Sequence, residues 1–375
     1  MKIALVIKTS LDFDGRVISQ IDALSSKYPE SKITILLLPD KKTTIEFAKN
    51  VSIKEIKLLS RKLPKTGFWQ FFKMIEYGLI ACNELSKIKP DIIHIHDENS
   101  IIGPLIYTLQ KKGTIIIYDD HELKNLPPMN IRQRIMLLLE RIIYKKANLC
   151  IVANESRKKF VVPILKPKRI AVIENLHYKR PTHAVQKSTQ KLLIQIDSLK
   201  KNGKKIILHQ GLLHHNRRKD LVEKIVNNLP VDWVMLFIGI PEVKFMEYFK
   251  KNTKTIFGGY VFNADLDVVW KEMDAVIIFY QTNDLNNKYC APNRIFLALN
   301  LGIPAIVNKE NPELSKIINE HNNGICVSKK TFSADIDFFF SNYSQILMNA
   351  SMLKGNFEYS SIYMHPIINL YSTFL

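Results

Sequence analysis

The chain has 375 residues, of which 46% are hydrophobic, which excludes a disordered chain and allows two domains with separate cores. Its 54 Lys and Arg residues outnumber 35 Asp and Glu, and the formal net charge of +19 favours an anionic partner: a phosphorylated substrate, an acidic membrane surface or nucleic acid. The basic residues are scattered, without a basic helix interleaved with aromatic residues, so no nucleic-acid partner is expected.

The first half of the chain has short apolar runs that alternate with amphipathic segments. The run at 3–7 is followed by a polar loop with Asp14 and Arg16, and then by a helical pattern. This loop lacks the Gly-x-Gly-x-x-Gly sequence of dinucleotide-binding proteins, so a nicotinamide or flavin is not expected. The alternation predicts an α/β protein with a parallel sheet covered on both faces. Further strands are predicted at 33–38, 92–95, 114–117, 149–152 and 170–173, and helices at 71–85 and 131–144.

The second half repeats this architecture after a polar, basic segment that contains Pro181. We interpret that segment as a linker between domains, with one short helical stretch near 192–199. The chain is helical and aromatic from Phe332 onward, and 367–375 is too apolar to stay unpacked, so we expect it to pack back on a domain. Strands are predicted at 206–208, 233–238, 255–257, 275–279, 304–307 and 325–327.

The stretch 289–307 predicts a loop, a helix and a strand. Pro292 suits the first turn of a helix, and Gly302 suits its end. The free N–H groups at the start of such a helix, with Arg294 in its first turn, are a natural site for a phosphate. On this stretch alone, an ordinary helix with an exposed arginine is the favoured interpretation.

Polar segments follow the predicted strands of the first half, where open parallel sheets bind their ligands. The imidazoles and carboxylates of His94, His96 and Asp97, together with Asp119, Asp120 and His121, would suit zinc or manganese. However, the His-x-His-x-Asp-His pattern of metallohydrolases fails after Asp97, and a histidine satisfied within the core explains His94 better. We therefore expect no metal. The polar segments are 14–16, 94–99 and 118–122.

The first predicted strand of the second half ends in a glycine and a group of cations. Gly211 would allow a ligand to approach the backbone closely, and Arg217, Arg218 and Lys219 would suit a diphosphate. A run of solvated charges explains the three cations about equally well. Two sheets with polar loops at their strand ends imply a cleft between them as the default ligand site.

Taken together, these segments resemble the retaining glycosyltransferases of family four, which have the GT-B fold, and in particular the bacterial branch that builds surface polysaccharides. No single segment is specific, but eight or so follow in the family's order, from near Met1 to about Val327. They are Asp14-Gly-Arg-Val, Pro90-Asp-Ile-Ile-His-Ile-His-Asp, Tyr118-Asp-Asp-His-Glu-Leu, Glu140 with Ala147-Asn-Leu, Glu174-Asn, His209-Gln-Gly with Arg217, Asp274-Ala-Val, and Pro292-Asn-Arg-Ile-Phe with Gly302-Ile-Pro.

The resemblance implies two Rossmann-like domains with parallel sheets that face each other across a cleft, and a C-terminal helix that crosses back. The acceptor would bind mainly to residues 1–178 and the nucleotide sugar mainly to 206–354, with 179–205 as the linker and 355–375 as the returning helix. His121 would contact the donor sugar near the reacting centre, with Asp97 and Glu122 as further catalytic candidates. Cations at the diphosphate would replace a metal, so neither a metal nor a cofactor is expected. The candidates for donor binding are Gly211, Arg217, Arg218, Asn293, Arg294, Asp14 and Arg16.

The chain departs from the family at one point. The family commonly carries two glutamates around the helix that begins near Pro292, one for the sugar hydroxyls and one for the ribose, and Tyr289 and Leu297 stand in their places. Arg218 also replaces a glycine that often follows the loop arginine. Ribose binding then uses other residues or is weak, which leaves an inactive or regulatory homologue as an alternative.

The leading hypothesis is a metal-independent, hexosyltransferase-type enzyme of cell-surface glycan biosynthesis. It would transfer a sugar from a nucleotide diphosphate sugar to a lipid-linked or polysaccharide acceptor with retention of configuration. One alternative is a nucleotide-sugar epimerase of the same fold, to which Asp97, Glu98 and Glu122 could supply carboxylates. The other is a non-catalytic protein that binds nucleotide or glycan, motivated by Leu297.

Cysteine usage and hydropathy bear on location. The four cysteines are far apart without a Cys-x-x-Cys pair, which is typical of reduced thiols in the cytosol. The N-terminal apolar run is too short for a signal peptide, and no stretch approaches the ~18 apolar residues of a spanning helix. We expect a cytoplasmic protein that docks on the anionic inner face of the plasma membrane through 61–73. The alternative, of equal weight, is that Trp69, Phe71 and Phe72 fill the core.

Overall fold

The computed structural model describes residues 1–8, 11, 14–39, 46–64, 68–124, 126, 128, 131–176, 184–211, 217–239, 243–357 and 366–374. They form two compact units. The first unit combines Met1–Asn175 with Tyr359–Leu375, and the second unit is Leu176–Glu358.

The first unit is built on a seven-stranded sheet with the order β3-β2-β1-β4-β5-β6-β7, in which every neighbouring pair is parallel. Its central strands β1 and β4 are buried along almost their whole length, because helices cover both faces of a parallel sheet. The strands are β1 Lys2–Ile7, β2 Lys32–Leu37, β3 Val51–Glu55, β4 Ile92–His96, β5 Ile115–Asp120, β6 Leu149–Val152 and β7 Ile170–Val172.

Within the described residues, five α-helices and two 3-10 turns accompany this sheet, and the short C-terminal helix α15 joins them. The cap of the first helix is Asp14, whose carboxylate accepts from the N–H of Val17 at 3.1 Å. The short helix buries Ile367, Ile368 and Tyr371 in the apolar core of this unit. The helices are α1 Gly15–Lys27, α2 Phe68–Ile88, α3 Ile102–Gln110, α4 Ile131–Lys146 and α5 Glu155–Leu165, with 3-10 turns at Leu59–Lys62 and Glu98–Ser100, and α15 Pro366–Ser372.

The second unit has a six-stranded parallel sheet with the order β10-β9-β8-β11-β12-β13. Its strands are β8 Lys205–Gln210, β9 Trp233–Ile238, β10 Thr255–Gly259, β11 Ala275–Ile278, β12 Ala305–Asn308 and β13 Gly324–Val327. Its helices are α6 Lys187–Lys201, α7 Lys219–Asn227, α8 Val243–Lys250, α9 Leu266–Trp270, α10 Leu285–Lys288, α11 Asn293–Leu301, α12 Pro312–His321, α13 Phe332–Ser341 and α14 Tyr343–Met352, with a 3-10 turn at Asn263–Asp265.

Two features differ from the sequence predictions. The edge strand β3 was not expected, because its residues alternate in polarity and four of its five are exposed. The segment 179–205, predicted as a linker, contains the fifteen-residue helix α6, whose Leu192 and Ile196 are buried in the core of the second unit. Among the described residues, no helix combines the length and the hydropathy needed to cross a bilayer.

Candidate functional site

Strand ends of the first unit bring acids and histidines to one edge of its sheet. Strand β4 ends at His96 and leads into Asp97, and β5 ends at Asp120 and leads into His121. Asp14 lies after neighbouring β1, at the start of α1. In a parallel sheet these carboxyl ends share one edge, where ligands bind.

Arg16 forms a buried ion pair with Asp119. Its Nη2 lies 2.7 Å from Oδ1 of Asp119 and its Nε lies 3.1 Å from Oδ2. Its Nη1 donates to the carbonyl of Ile173 at 2.6 Å and to Oδ1 of Asn175 at 3.0 Å, while Gln20 donates to Oδ2 of Asp119 at 3.0 Å. Arg16, a predicted donor-binding residue, therefore holds the Asp119 carboxylate in place.

His121 lies among three carboxylates. Its Nδ1 is 3.6 Å from Asp97 and 3.9 Å from Asp14, and its Nε2 is 3.6 Å from Asp119. Burial alone would lower the pKa of His121, but Asp97, Asp119 and Asp14 outweigh burial and raise that pKa to about 10. Arg157 donates to the backbone carbonyl of His121 and fixes the segment that carries it. The imidazole is thus a cation at neutral pH.

Two of these acids, Asp119 and Asp97, have pKa values shifted in opposite directions. Burial would raise the pKa of Asp119, but Arg16 and His121 hold it well below its usual range. Burial raises the pKa of Asp97, with His121 and Lys124 opposing the rise. Asp97 also has a left-handed backbone, with φ 62° and ψ 161°, a conformation that is costly for a residue with a side chain. Such strain is typical of functional sites.

Two buried histidines connect this group to the C-terminal helix. Nδ1 of His96 lies 3.2 Å from Nε2 of His121, so the His121 cation donates and neutral His96 accepts. Burial and His94 keep the pKa of His96 well below its usual value. His94 stacks on His96 with ring centroids 4.3 Å apart, and its Nδ1 lies 3.1 Å from the hydroxyl of Tyr371 in α15.

His94, His96 and Asp119 are close enough to suggest a metal site. The possible ligand atoms lie within 4.8 Å of one another, and the Nε2 atoms of both histidines lack a hydrogen-bond partner among the described residues. However, both oxygens of Asp119 already accept hydrogen bonds from Arg16. A divalent cation here would lie close to the positive charges of Arg16 and His121 and would be repelled by them. We assign no metal to this group.

Glu122, the third predicted catalytic residue, has an exposed side chain, and its carbonyl accepts from Nζ of Lys124 at 3.2 Å. Lys124 also lies 3.3 Å from the carboxylate of Glu98. His121 and Asp97 are therefore brought together by the fold, whereas no ion pair between Glu122 and His121 is found among the described residues.

In the second unit, Gly211 follows strand β8 with φ +117°, a conformation that favours glycine. A side chain on neighbouring Gly239 would have its Cβ 2.3 Å from the carbonyl oxygen of Gly211, so the backbones of these two glycines are packed closely. Among the residues that the structure describes, a Cβ built on Gly211 would meet only Nη1 of Arg294, at 3.9 Å. The side of Gly211 that a side chain would occupy therefore faces a cation.

Arg217 and Arg294 both contact the aromatic ring of Tyr280. Cζ of Arg217 lies 4.0 Å from the ring centroid and Cζ of Arg294 lies 5.5 Å from it. Nη2 of Arg294 donates to the Tyr280 hydroxyl at 2.9 Å, and its Nη1 donates to the carbonyl of Gln210. Burial lowers the pKa of Arg217, and Arg294 lowers it further while Tyr280 opposes this. Two partly dehydrated guanidinium groups thus lie on the ring of Tyr280, and that of Arg294 also lies beside Gly211.

Arg218 is placed differently from its neighbour. Its Nε and Nη2 lie 3.0 and 3.1 Å from the two oxygens of Asp220, and its Nη1 lies 3.5 Å from Glu310. These residues line a groove of about 460 Å³ together with residues 281–283. Two carboxylates offset the charge of Arg218, so it is the weaker of the two predicted phosphate ligands.

Helix α11 carries the last predicted contacts. Asn293 is exposed in its first turn, after the cap residue Pro292. Leu297 is 6% exposed and belongs to the apolar core of the second unit. Position 297 is therefore occupied by a residue of the apolar core, whereas the family that the chain resembles has a glutamate there that binds the ribose.

The sequence interpretation missed two tyrosines of these sites. Tyr280 lies two residues after β11, and an aromatic hydroxyl at a strand end was the available signal. Tyr371 gave no signal in the sequence, because its partner His94 is 277 residues away in the chain.

No protein-family model and no curated protein matches this chain. Solved structures do resemble it: sucrose-phosphate synthase from Thermosynechococcus elongatus has a TM-score of 0.73 at 13% identity, covering 100% of this chain and 98% of that one. HepE of Anabaena in complex with UDP has a TM-score of 0.70 at 14% identity, with 99% and 100% covered. A glycosyltransferase from Rickettsia africae has 0.69 at 13%, with 99% and 98% covered. The predicted GT-B fold class is confirmed by these likenesses: the chain has two Rossmann-like units, each with a parallel sheet.

Proposed function

We propose that the chain is a glycosyltransferase that moves a sugar from a nucleotide diphosphate sugar to an acceptor. The observation that carries the proposal is the pair of guanidinium groups of Arg217 and Arg294 on the ring of Tyr280, where Arg294 also lies beside Gly211. Support also comes from the shared fold, since HepE was solved in complex with UDP-glucose as well as with UDP.

The two arginines would stabilise the leaving group. When the bond to the sugar breaks, negative charge develops on the departing diphosphate. Each preorganised contact that meets developing charge is worth about 3–4 kcal/mol. Arg217 and Arg294 are held by Tyr280 before any ligand binds, so little reorganisation is needed. In this role they replace a metal ion.

His121 would act on the donor sugar in this proposal. As a cation fixed among Asp97, Asp14 and Asp119, its imidazolium donates hydrogen bonds and does not act as a base. A donor near the reacting carbon strengthens its bond as charge shifts in the transition state. Asp97 would accept from a sugar or acceptor hydroxyl.

The finer assignment rests on the sequence resemblance. We infer a retaining enzyme of family four, from the branch that builds bacterial surface polysaccharides, with a lipid-linked or glycan acceptor. The partly exposed Asp97 and His121, at the sheet edge of the first unit, support an acceptor side there. Donor binding is assigned to the second unit.

Incubation of the protein with radiolabelled UDP-sugars tests the proposal. We expect UDP release that depends on a glycan or lipid-linked acceptor and persists in the presence of a chelator. Recovery of an isomerised nucleotide sugar would instead identify an epimerase, and UDP binding without release would identify a non-catalytic homologue.

We also propose that the first unit docks on an anionic membrane. In α2, Trp69 and Phe72 are 40% and 45% exposed, with ring centroids 6.2 Å apart, while Phe71 is half-buried. In the neighbouring 3-10 turn, the side chain of Leu59 is 91% exposed. Glu76 of α2 accepts a hydrogen bond from the N–H of Leu59 at 2.6 Å and so holds the turn against α2. Exposed aromatic rings beside a basic turn suit a headgroup layer.

Co-sedimentation with vesicles of phosphatidylglycerol and phosphatidylcholine measures this docking. Binding should fall with added salt, since each basic residue near the surface contributes about 1 kcal/mol at low salt. A Trp69→Ser/Phe72→Ser variant should lose most of the binding, whereas Ile194→Ser, which alters a 71% exposed residue of the second unit, should keep it. If the parent protein does not bind anionic vesicles at low salt, the proposal that the first unit docks on a membrane is contradicted.

A further inference from the structure

Two histidines of strand β4 are buried in the core of the first unit. Side chains alternate between the faces of a strand, so His94 and His96 point to the same face of the sheet as Ile92. Ile92 belongs to the apolar core that also contains Tyr371 of helix α15. His94 and His96 are 0% and 1% exposed. The two imidazoles and the C-terminal helix therefore share one face of this sheet.

The burial of these imidazoles costs free energy that a pair of apolar side chains would not cost. The Nε2 atoms of His94 and His96 are buried and have no hydrogen-bond partner among the described residues. A buried polar group without a partner destabilises the folded protein. Both Nδ1 atoms, by contrast, have a partner, which is Tyr371 for His94 and His121 for His96. The hydrogen bonds of Nδ1 therefore explain why histidines occupy these two core positions.

The contact between His96 and His121 determines where His96 carries its proton. Both ring nitrogens of the His121 cation are protonated, so its Nε2 donates and Nδ1 of His96, 3.2 Å away, accepts. Neutral His96 then carries its proton on Nε2. The carboxylate of Asp119 is farther from Nε2 of His121, at 3.6 Å. The orientation of the His96 ring therefore directs one N–H of His121.

Tyr371 determines the tautomer of His94 in the same way. Burial raises the pKa of the Tyr371 hydroxyl, so this hydroxyl keeps its proton. If the hydroxyl donates to Nδ1 of His94 at 3.1 Å, only Nε2 of His94 lacks a partner. The opposite direction would also leave the buried O–H of Tyr371 without a partner among the described residues. The hydroxyl is therefore the donor, and His94 carries its proton on Nε2.

We propose that Tyr371 is a positioning residue for His121 and acts through the two buried histidines. The inference rests on the proposed transfer reaction, in which the His121 cation donates to the donor sugar. Tyr371 orients the ring of His94, which stacks on His96 with centroids 4.3 Å apart and 25° between the planes. His96, held in this plane, accepts from Nε2 of His121. Nδ1 of His121 is thereby kept on the side of Asp97, at 3.6 Å, where the proposed mechanism places a sugar hydroxyl.

Tyr371→Phe tests the proposal, because it removes one hydroxyl and keeps the aromatic ring in the core. NMR of the imidazole nitrogens in protein with isotope-labelled histidine distinguishes the two neutral tautomers from the cation. The parent should show Nε2–H tautomers for His94 and His96 and a cation for His121. In Tyr371→Phe, His94 should become a mixture of tautomers and the Nε2 resonance of His121 should shift. Its kcat should fall about tenfold, as for the loss of one hydrogen bond, with the Kd of UDP within about twofold of the parent.

Tyr107→Phe is the matched control. Tyr107 of α3 is 2% exposed, and its hydroxyl interacts with the side chain of Thr114, which precedes β5 at the opposite edge of the sheet from His121. This variant should lose thermal stability without a change in kcat or in the imidazole resonances. The proposal is overturned if Tyr371→Phe matches Tyr107→Phe in kcat and in the resonances of His121, or if it lowers kcat and UDP affinity equally.

A pair of substitutions at His96 tests the middle of this chain of contacts. The amide oxygen of asparagine can accept from His121 in place of Nδ1, so His96→Asn should keep a kcat about fivefold higher than His96→Leu. Equal kcat values in these two variants contradict the proposal. UDP release by the parent is measured first, and a parent that releases none contradicts the transfer reaction itself. The imidazole resonances then decide alone: a shift of His121 in Tyr371→Phe supports the positioning role, and unchanged resonances overturn it.

Discussion

Replacing Arg217 by alanine is expected to weaken UDP binding by about 2 kcal/mol or more, roughly thirtyfold in Kd. The guanidinium is held on Tyr280 at 4.0 Å, and burial lowers its pKa, so it gains more from a diphosphate than a fully hydrated cation would. Arg294→Ala should show a loss of similar size, since Nη1 of Arg294 lies beside Gly211. Isothermal calorimetry with UDP measures both losses.

Arg218→Ala is the matched control for this measurement. Its guanidinium is already paired with Asp220 and Glu310, so its removal should cost thermal stability more than UDP affinity. If Arg217→Ala and Arg294→Ala both bind UDP like the parent, the diphosphate assignment is wrong. If only Arg218→Ala binds weakly, the diphosphate lies in the groove beside Glu310.

His121→Ala is expected to lower kcat about a hundredfold while changing UDP affinity by less than about threefold. The reason is that a hydrogen bond to the sugar near the reacting carbon strengthens in the transition state, whereas the nucleotide binds to other residues. Steady-state kinetics with the donor sugar, together with calorimetry for UDP, separate the two quantities. Equal losses in both would place His121 in ordinary binding.

The pH dependence gives a second test of His121. Its pKa of about 10 lies above the ordinary value of 6.5, so the folded protein keeps this proton between those two values. The stabilising contribution of the cation is complete below pH 6.5 and is lost as the pH rises through about 10. The activity of the parent should therefore show no loss from His121 between pH 6.5 and 8.5, and an activity lost with a midpoint near 7 contradicts a cationic His121.

The architecture was predictable because it depends on local pattern. Short β-branched runs such as 3–7 and 304–307 can be buried on both faces of a sheet, and polar loops mark their ends. The edge strand β3 was not predicted, because four of its five residues are exposed and its Lys54 and Glu55 are residue types common in loops. Helix α6 was underestimated because its apolar positions, Leu192 and Ile196, are diluted by lysines and glutamines.

The chemical state of the site residues was not predictable, because it depends on distant partners. His121 stood out in the sequence, but its raised pKa comes first from Asp97, then from Asp119 and Asp14, and only the fold brings Asp97 and Asp14 to it. Arg217 and Arg218 are adjacent and equivalent in sequence, yet Arg217 lies on the ring of Tyr280, whereas Arg218 pairs with Asp220 and with Glu310, 92 residues later. Such differences arise only when the strand ends are assembled.

A crystal structure of the protein with UDP tests the central claim most directly, namely that a nucleoside diphosphate binds at Gly211. We expect guanidinium nitrogens of Arg217 and Arg294 within about 2.7–3.2 Å of phosphate oxygens, with the diphosphate against the backbone of Gly211. Arg218 should remain paired with Asp220. UDP bound elsewhere in the second unit, or diphosphate oxygens that contact neither Arg217 nor Arg294, would contradict the claim.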